Sequence, residues 1–80
     1  MSIMFEVYYP PPLDPHKEKA LTARVSRLGG HLSLREIPES NGERGVCLTY
    51  EFENQSGAEA AAQALRQQGE HVEGPVDYGP

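Results

Sequence analysis

The sequence predicts an α+β fold in the order strand, helix, strand, strand, helix, strand, and three observations predict it. Four stretches alternate apolar and polar residues at a period of two. Two others carry apolar residues at helical spacing, and proline, glycine or asparagine punctuates the gaps between them. The clearest alternation is Val46-Cys47-Leu48-Thr49-Tyr50-Glu51-Phe52, where Val46, Leu48, Tyr50 and Phe52 point one way and Cys47, Thr49 and Glu51 the other. Its β-branched and aromatic content suits a half-buried strand. Two strand–helix–strand units with right-handed crossovers interleave into one four-stranded antiparallel sheet with both helices on one face. That is the split βαβ, or ferredoxin-like, arrangement (βαββαβ).

Residues 3–9 form the first strand, with Ile3, Phe5, Val7 and Tyr9 opposite Met4, Glu6 and Tyr8. Pro10-Pro11-Pro12 ends it, because three consecutive residues lack a backbone donor. Asp14-Pro15 opens a helix: a carboxylate at the N-cap accepts an orphan N–H, and proline at the first helical position loses nothing. Leu21, Val25 and Leu28 make its apolar stripe, and Gly29-Gly30 closes it. Residues 31–37 form the next strand, with Leu32 and Leu34 inward, Ser33 and Arg35 outward, and Ile37 out of phase on a bulge or at the strand's end. Residues 38–45 contain Ser40-Asn41-Gly42 and predict a hairpin to the strand at Val46. Ser56-Gly57-Ala58-Glu59 matches a capping box and opens a helix that runs to Gln68, with Ala58, Ala61, Ala62 and Leu65 inward. Residues 71–78 give a short edge strand broken at Gly74-Pro75, with 74–80 a loose tail.

Eighty residues predict one domain, spanning 1–80. Seven basic against twelve acidic side chains give a formal charge of −5, which repels phosphate backbones, so nucleic acid is not an expected partner. One cysteine excludes an internal disulfide. The longest apolar run is too short to span a bilayer, and the first residues lack the basic flank and apolar core of a signal peptide. No membrane association is therefore expected, and cytoplasmic is the default location.

With both helices on one face, the other face of the sheet is the place to look for function. The alternation assigns to it Met4, Glu6, Tyr8, Ser33, Arg35, Cys47, Thr49, Glu51, His71 and Glu73. Of these, Glu6, Tyr8, Arg35, Cys47, Thr49, Glu51 and His71 are the candidate ligand- or partner-binding residues, together with the proline loop. Glu6 and Glu51 lie on neighbouring central strands, where a carboxylate pair would raise one pKa or invite a cation, although solubilising groups near Arg35 explain them as well. Cys47 with His31 and His71 lacks paired ligand spacing, and counting back through the hairpin sets His31 near Phe52, about 17 Å from Cys47. No metal site and no cofactor are expected. Tyr8-Tyr9-Pro10-Pro11-Pro12 is a candidate ligand for aromatic-lined grooves, but it also serves as a rigid connector. Lys17, Arg24 and Arg27 share one flank of the first helix, read as a solvated flank before an anion site. No nucleophile motif or glycine-rich phosphate loop is present, and no catalytic residue is expected.

Several families share this topology. RNA-recognition modules need stacking aromatics on both central strands and a basic surface, whereas Tyr8 stands alone in an acidic chain. Metallochaperones of this fold carry Cys-x-x-Cys in the first loop and acylphosphatases an Arg; the first loop here is Pro10-Pro11-Pro12-Leu13-Asp14. In general look the chain resembles ACT-type regulatory modules, which are small and pair through sheet edges, with prolines replacing their glycine-bearing ligand loop. The expected function is a non-catalytic binding or regulatory module for a small molecule or protein, and the few charges on the 31–37 edge strand predict self-association by pairing with its counterpart in a second copy. The second reading is a small-molecule enzyme of the dimeric α+β-barrel type, in which two open sheet faces enclose a pocket. No motif assigns the chain to a family.

Overall fold

The computed structural model describes residues 2–37 and 45–79. Its elements are β1 (Ile3–Tyr9), α1 (Pro15–Arg27), β2 (Gly30–Glu36), β3 (Val46–Phe52), α2 (Gln55–Gln67) and β4 (His71–Asp77). The strands form one antiparallel sheet in the order β2-β3-β1-β4, so the two strands with the longest clean alternation are central. This is the ferredoxin-like βαββαβ arrangement.

The core lies between the sheet and the helices. Ile3, Phe5 and Val7 from β1 and Leu48, Tyr50 and Phe52 from β3 are all but fully buried. Leu21 and Val25 of α1 and Ala58, Ala61, Ala62 and Leu65 of α2 close over them. The alanines let α2 lie close to the sheet, exchanging apolar area for tight approach. Phe5 ties the two central strands together, with ring centroids 5.8 Å from Tyr50 and 5.5 Å from Phe52.

Local signals decide where the helices begin and end. Asp14 caps α1, its side chain accepting from Lys17 N–H at 3.0 Å, with Pro15 in the first turn. Gly29 and Gly69 take positive φ (94° and 97°) just after the two helices, where a side chain would be strained. Leu28 does not continue the α1 stripe; it is the C-cap residue and is exposed. The start of α2 also differs from the expected capping box at Ser56. Asn54 is the cap, accepting from Gly57 N–H at 2.6 Å, and Ser56 Oγ donates to Asn54 Oδ1. Asn54 forms the same kind of side-chain cap two residues earlier, so Glu59 pairs with Gln55 instead of reaching back.

Two irregularities change which residues share a face. β2 pairs with β3 through Leu32↔Tyr50 and then Leu34↔Thr49, leaving Ser33 as an extra residue. The bulge therefore sits four residues before Ile37, where the loss of phase was expected. In β4, the strand continues through Gly74-Pro75 with a register shift opposite Met4–Glu6. Beyond Asp77 the chain stays paired, with Tyr78 N–H donating to Ser2 O at 2.8 Å and Ser2 N–H to Gly79 O at 3.0 Å. Residues 74–79 are thus a tethered edge, where a loose tail was expected. The predicted turn at Ser40-Asn41-Gly42 lies outside the described residues, while the hairpin it joins is present as the β2–β3 pair.

Candidate functional site

The face of the sheet away from the helices is organised as three rows that run across all four strands. The first is Glu36–Cys47–Tyr8–His71, the second Leu34–Thr49–Glu6–Glu73 and the third His31–Glu51–Met4–Val76. Directly opposed residues of an antiparallel pair project to the same side, so each row is a line of neighbours. Glu6, Tyr8, Cys47, Thr49, Glu51 and His71 all lie where the alternation put them.

Arg35 does not. The extra residue at Ser33 reverses the phase of everything after it, so Arg35 stands opposite Leu48 on the helix side. There its guanidinium forms a two-pronged pair with Glu18 of α1, from Nε to Oε1 and from Nη2 to Oε2 at 3.1 Å. Leu34 and Glu36 take the open-face positions instead, with Leu34 half exposed. In β4 the register shift likewise places Val76, which is not in the set the alternation assigned to the open face, on that face opposite Met4.

The carboxylates are also arranged differently from the expected Glu6–Glu51 pair. Glu51 faces Met4 on one side and His31 on the other, its Oε1 lying 3.4 Å from His31 Nε2, and it accepts from Ser2 Oγ. The residues directly opposed are Glu6 and Glu73, on β1 and β4. His71 Nε2 lies 3.1 Å from Glu73 Oε2. Among the described residues no lysine or arginine stands on the open face, which carries Glu6, Glu36, Glu51 and Glu73 against two histidines.

The protonation states follow from the packing. Cys47 is buried, and that burial, with the Glu6 carboxylate beside it, pushes its thiol up, although a hydrogen bond with Tyr8 works the other way. The thiol Sγ lies 3.6 Å from Glu6 Oε2 as a weak donor. Burial first, and then Cys47 and the carboxylates of Glu6 and Glu73, push the Tyr8 hydroxyl upward. Both groups are therefore neutral near pH 7, and Cys47 is not the thiolate that nucleophilic chemistry requires.

Glu6, Glu36 and Cys47 bring one ligand atom each within 4.8 Å of one another, a grouping that needs the bulged register to exist and so could not be read from spacing. A soft metal would require the Cys47 proton to leave against its raised pKa. The grouping is more simply part of the one-signed charge of the face. His31 and His71 belong to opposite corners of the three rows, so the two histidines and Cys47 form no common site. A cleft of about 380 Å³ lies at the Tyr8 end of the face, lined by Tyr8, Gly45, His71 and Glu73. The Tyr8 and His71 rings pack in a T-shaped arrangement with centroids 5.8 Å apart.

The proline loop is anchored from below. Tyr9 is buried, accepts from Asp14 N–H at 3.0 Å and donates to Glu18. Of the aromatic pair before the prolines, only Tyr8 reaches the open face. The basic flank of α1 is partly engaged: Lys17 pairs with Glu70 at 3.0 Å and Arg24 with Gln68 at 2.9 Å.

No family model matches the chain, and no curated protein matches it in sequence. Within the described residues no helix is long and apolar enough to cross a membrane.

The Tyr9–Glu18–Arg35 group gives a pH-dependent expectation. The Arg35 guanidinium first, and the Tyr9 hydroxyl second, hold the Glu18 carboxyl below its usual range, against burial, which works upward. A carboxyl with a depressed folded pKa stabilises the fold above its unfolded pKa, and that stabilisation is lost as pH falls through the folded value. Glu18→Gln should therefore lower Tm by a few degrees at neutral pH. The difference from wild type should close as pH drops below about 4. Circular dichroism melts across that range check it, and a gap that persists undiminished in acid would assign the loss to packing.

Proposed function

We propose that the protein is a non-catalytic binding module that self-associates by pairing β2 with the β2 of a second copy. What supports this reading is the contrast between the two edges of the sheet. On β4, Arg66 of α2 donates to the carbonyls of Val72 at 3.2 Å and Gly74 at 2.6 Å, and Pro75 has no N–H to offer. Such devices protect an edge from further pairing. Among the described residues no side chain caps the outer backbone of β2. Residues 31–37 are exposed throughout, and Leu32, Leu34 and Ile37 hold apolar surface in solvent, with Leu34 and Ile37 each 53% exposed. One edge is blocked and the other is left adhesive.

The alternative, an enzyme pocket formed by two open faces meeting, has less support. Face-to-face packing would bring the carboxylates of Glu6, Glu36, Glu51 and Glu73 against the same four groups of another copy, with no lysine or arginine from the described residues to offset them.

Sedimentation equilibrium at about 10–100 μM tests the edge, because micromolar pairing is populated there. The wild-type protein should sediment as a dimer. Leu32→Lys, which puts a charge on the edge without touching the open face, should shift it to monomer. A wild-type monomer across that range, or a dimer indifferent to Leu32→Lys, would overturn the assignment.

A further inference from the structure

We infer that the trough between α1 and α2 docks an acidic amphipathic helix of a partner protein, its apolar stripe over Ala60 and Ala64 and its carboxylates on Arg24 and Arg27. This partner deepens the binding-module reading, on which it rests, and occupies a surface apart from the β2 edge.

The trough holds about 420 Å³ and is lined by Arg24, Arg27, Leu28, Ala60 and Ala64. On the α2 side its surface is apolar: Ala60 and Ala64 stand one turn apart, where a solvated helix ordinarily carries polar or charged side chains. Leu28, at the end of α1, adds a leucine that is 38% exposed. On the α1 side Arg24 and Arg27, also one turn apart, form the wall. The dipole of α1 favours positive charge near its C-terminus, but it does not choose the flank; here the flank faces α2, where Arg24 reaches Gln68 at 2.9 Å. That partner is a neutral amide and leaves the charge uncompensated. Among the described residues neither guanidinium forms an ion pair, although the chain has a net charge of −5. The nearby carboxylates are engaged elsewhere: Glu18 with Arg35 and Tyr9, Glu59 with Gln55 and Glu70 with Lys17. The trough is thus a locally positive, apolar-floored site on an acidic protein, and it complements a partner that is acidic and apolar.

A helix fits this site better than a small anion does. The trough is open, so a small ligand would keep much of its surface in water, whereas the pockets that hold such ligands bury most of it. Both walls repeat at one helical turn, about 5.4 Å, which is also the spacing of side chains three or four residues apart on a partner helix. One row of leucines would lie over the alanines while a neighbouring row of glutamates met the two guanidinium forks, the helix-in-groove mode of recognition.

The probe is a labelled, alanine-based helical peptide of about 15 residues with one row of leucines and a neighbouring row of glutamates, titrated with the full chain and followed by fluorescence anisotropy. A peptide with lysine in place of each glutamate and a scrambled glutamate peptide are the controls. Saturable binding of the glutamate peptide, tighter than that of either control, is expected. The order is informative because the net charge of −5 alone would favour the lysine peptide. Arg27→Glu should weaken binding of the glutamate peptide about tenfold or more and strengthen that of the lysine peptide, a gain that unfolding cannot produce. Lys19→Glu makes the same charge change on α1 outside the trough and should leave binding within about twofold. Ala60→Phe fills the trough from an exposed position and should weaken binding about fivefold or more with the melting temperature kept. Equal or tighter binding of either control peptide, unaltered binding in Arg27→Glu or Ala60→Phe, or an equal loss in Lys19→Glu would each overturn the proposal. Displacement of the peptide by equimolar dodecanoate would assign the trough to a small amphiphile and overturn it as well. Since Leu32→Lys leaves the trough untouched, peptide binding can fail with the dimer intact, or the dimer can fail with peptide binding intact.

Discussion

Replacing Tyr50 with alanine should cost about 3–5 kcal/mol of stability, the range for removing a large buried ring. A chain of 80 residues, at about 0.05–0.15 kcal/mol per residue, holds about 4–12 kcal/mol in all, so the variant should be largely unfolded or close to it. Tyr50 is fully buried at the middle of β3, with its ring tilted at 50° to that of Phe5. Its hydroxyl hydrogen-bonds the Thr22 hydroxyl at 2.8 Å, joining the central strand to α1. The conservative change separates these contributions. Tyr50→Phe keeps the ring and loses one hydrogen bond, which should cost about 0.5–1.5 kcal/mol, because half-buried Thr22 can turn to water. Urea midpoints of the two variants give the comparison. If Tyr50→Ala cost no more than Tyr50→Phe, the ring would not be the centre of the core and β3 would be in a different place.

That centre was legible because the alternation of β3 has no interruption, even though Cys47 and Thr49 on its other face are buried too. Val46, Leu48, Tyr50 and Phe52 are inward as the period of two requires, and the alanine stripe of α2 is buried at all four expected positions. The open face was legible only as far as the alternation held. Ser33 carries no conformational signal of its own, so nothing in its chemistry announces an inserted residue. The trace it leaves is indirect: Ile37 is out of phase with Leu32 and Leu34. Placing the slip at Ile37 keeps Arg35 outside, whereas placing it at Ser33 sends Arg35 to Glu18 and turns Leu34 outward. An edge strand tolerates this because neither of its faces is fully covered, so apolar burial does not enforce the phase. The same indifference hid the course of β4, where Gly74-Pro75 reads as a strand's end but is accommodated by a shift opposite β1. The glutamate opposed to Glu6 in register is Glu73 and not Glu51 for the related reason that cross-strand partners depend on register, and register is set by pairing between distant segments.

The second large effect is expected at Gly30, where the backbone of β2 starts against the core. Gly30 is buried opposite Phe52 and is reached from above by Val25 of α1. A β-carbon there would overlap the tip of the Phe52 ring and would stand 2.6 Å from Val25 Cγ1 and 2.7 Å from Phe52 Cε1. Neither neighbour can turn to solvent, since Val25 and Phe52 are at most 1% exposed. Relief must come from moving α1 or the start of β2, so Gly30→Ala should destabilise by about 1–3 kcal/mol, the usual range for overpacking. Gly29→Ala is the informative contrast: its β-carbon would meet nothing within 4 Å, and its loss, about 1–2 kcal/mol, would come from the positive φ alone. The two mechanisms separate in a double variant. Phe52→Leu removes the ring tip that a Gly30 β-carbon strikes, so it should recover part of the Gly30→Ala loss and none of the Gly29→Ala loss, a coupling read from chemical unfolding of the single and double variants. Equal, uncoupled losses at both glycines would mean that backbone conformation, not the contact with Phe52, excludes a side chain from position 30. A coupled result would also bear on assembly, because any shift of Gly30 moves the whole of β2, the strand proposed to meet its counterpart.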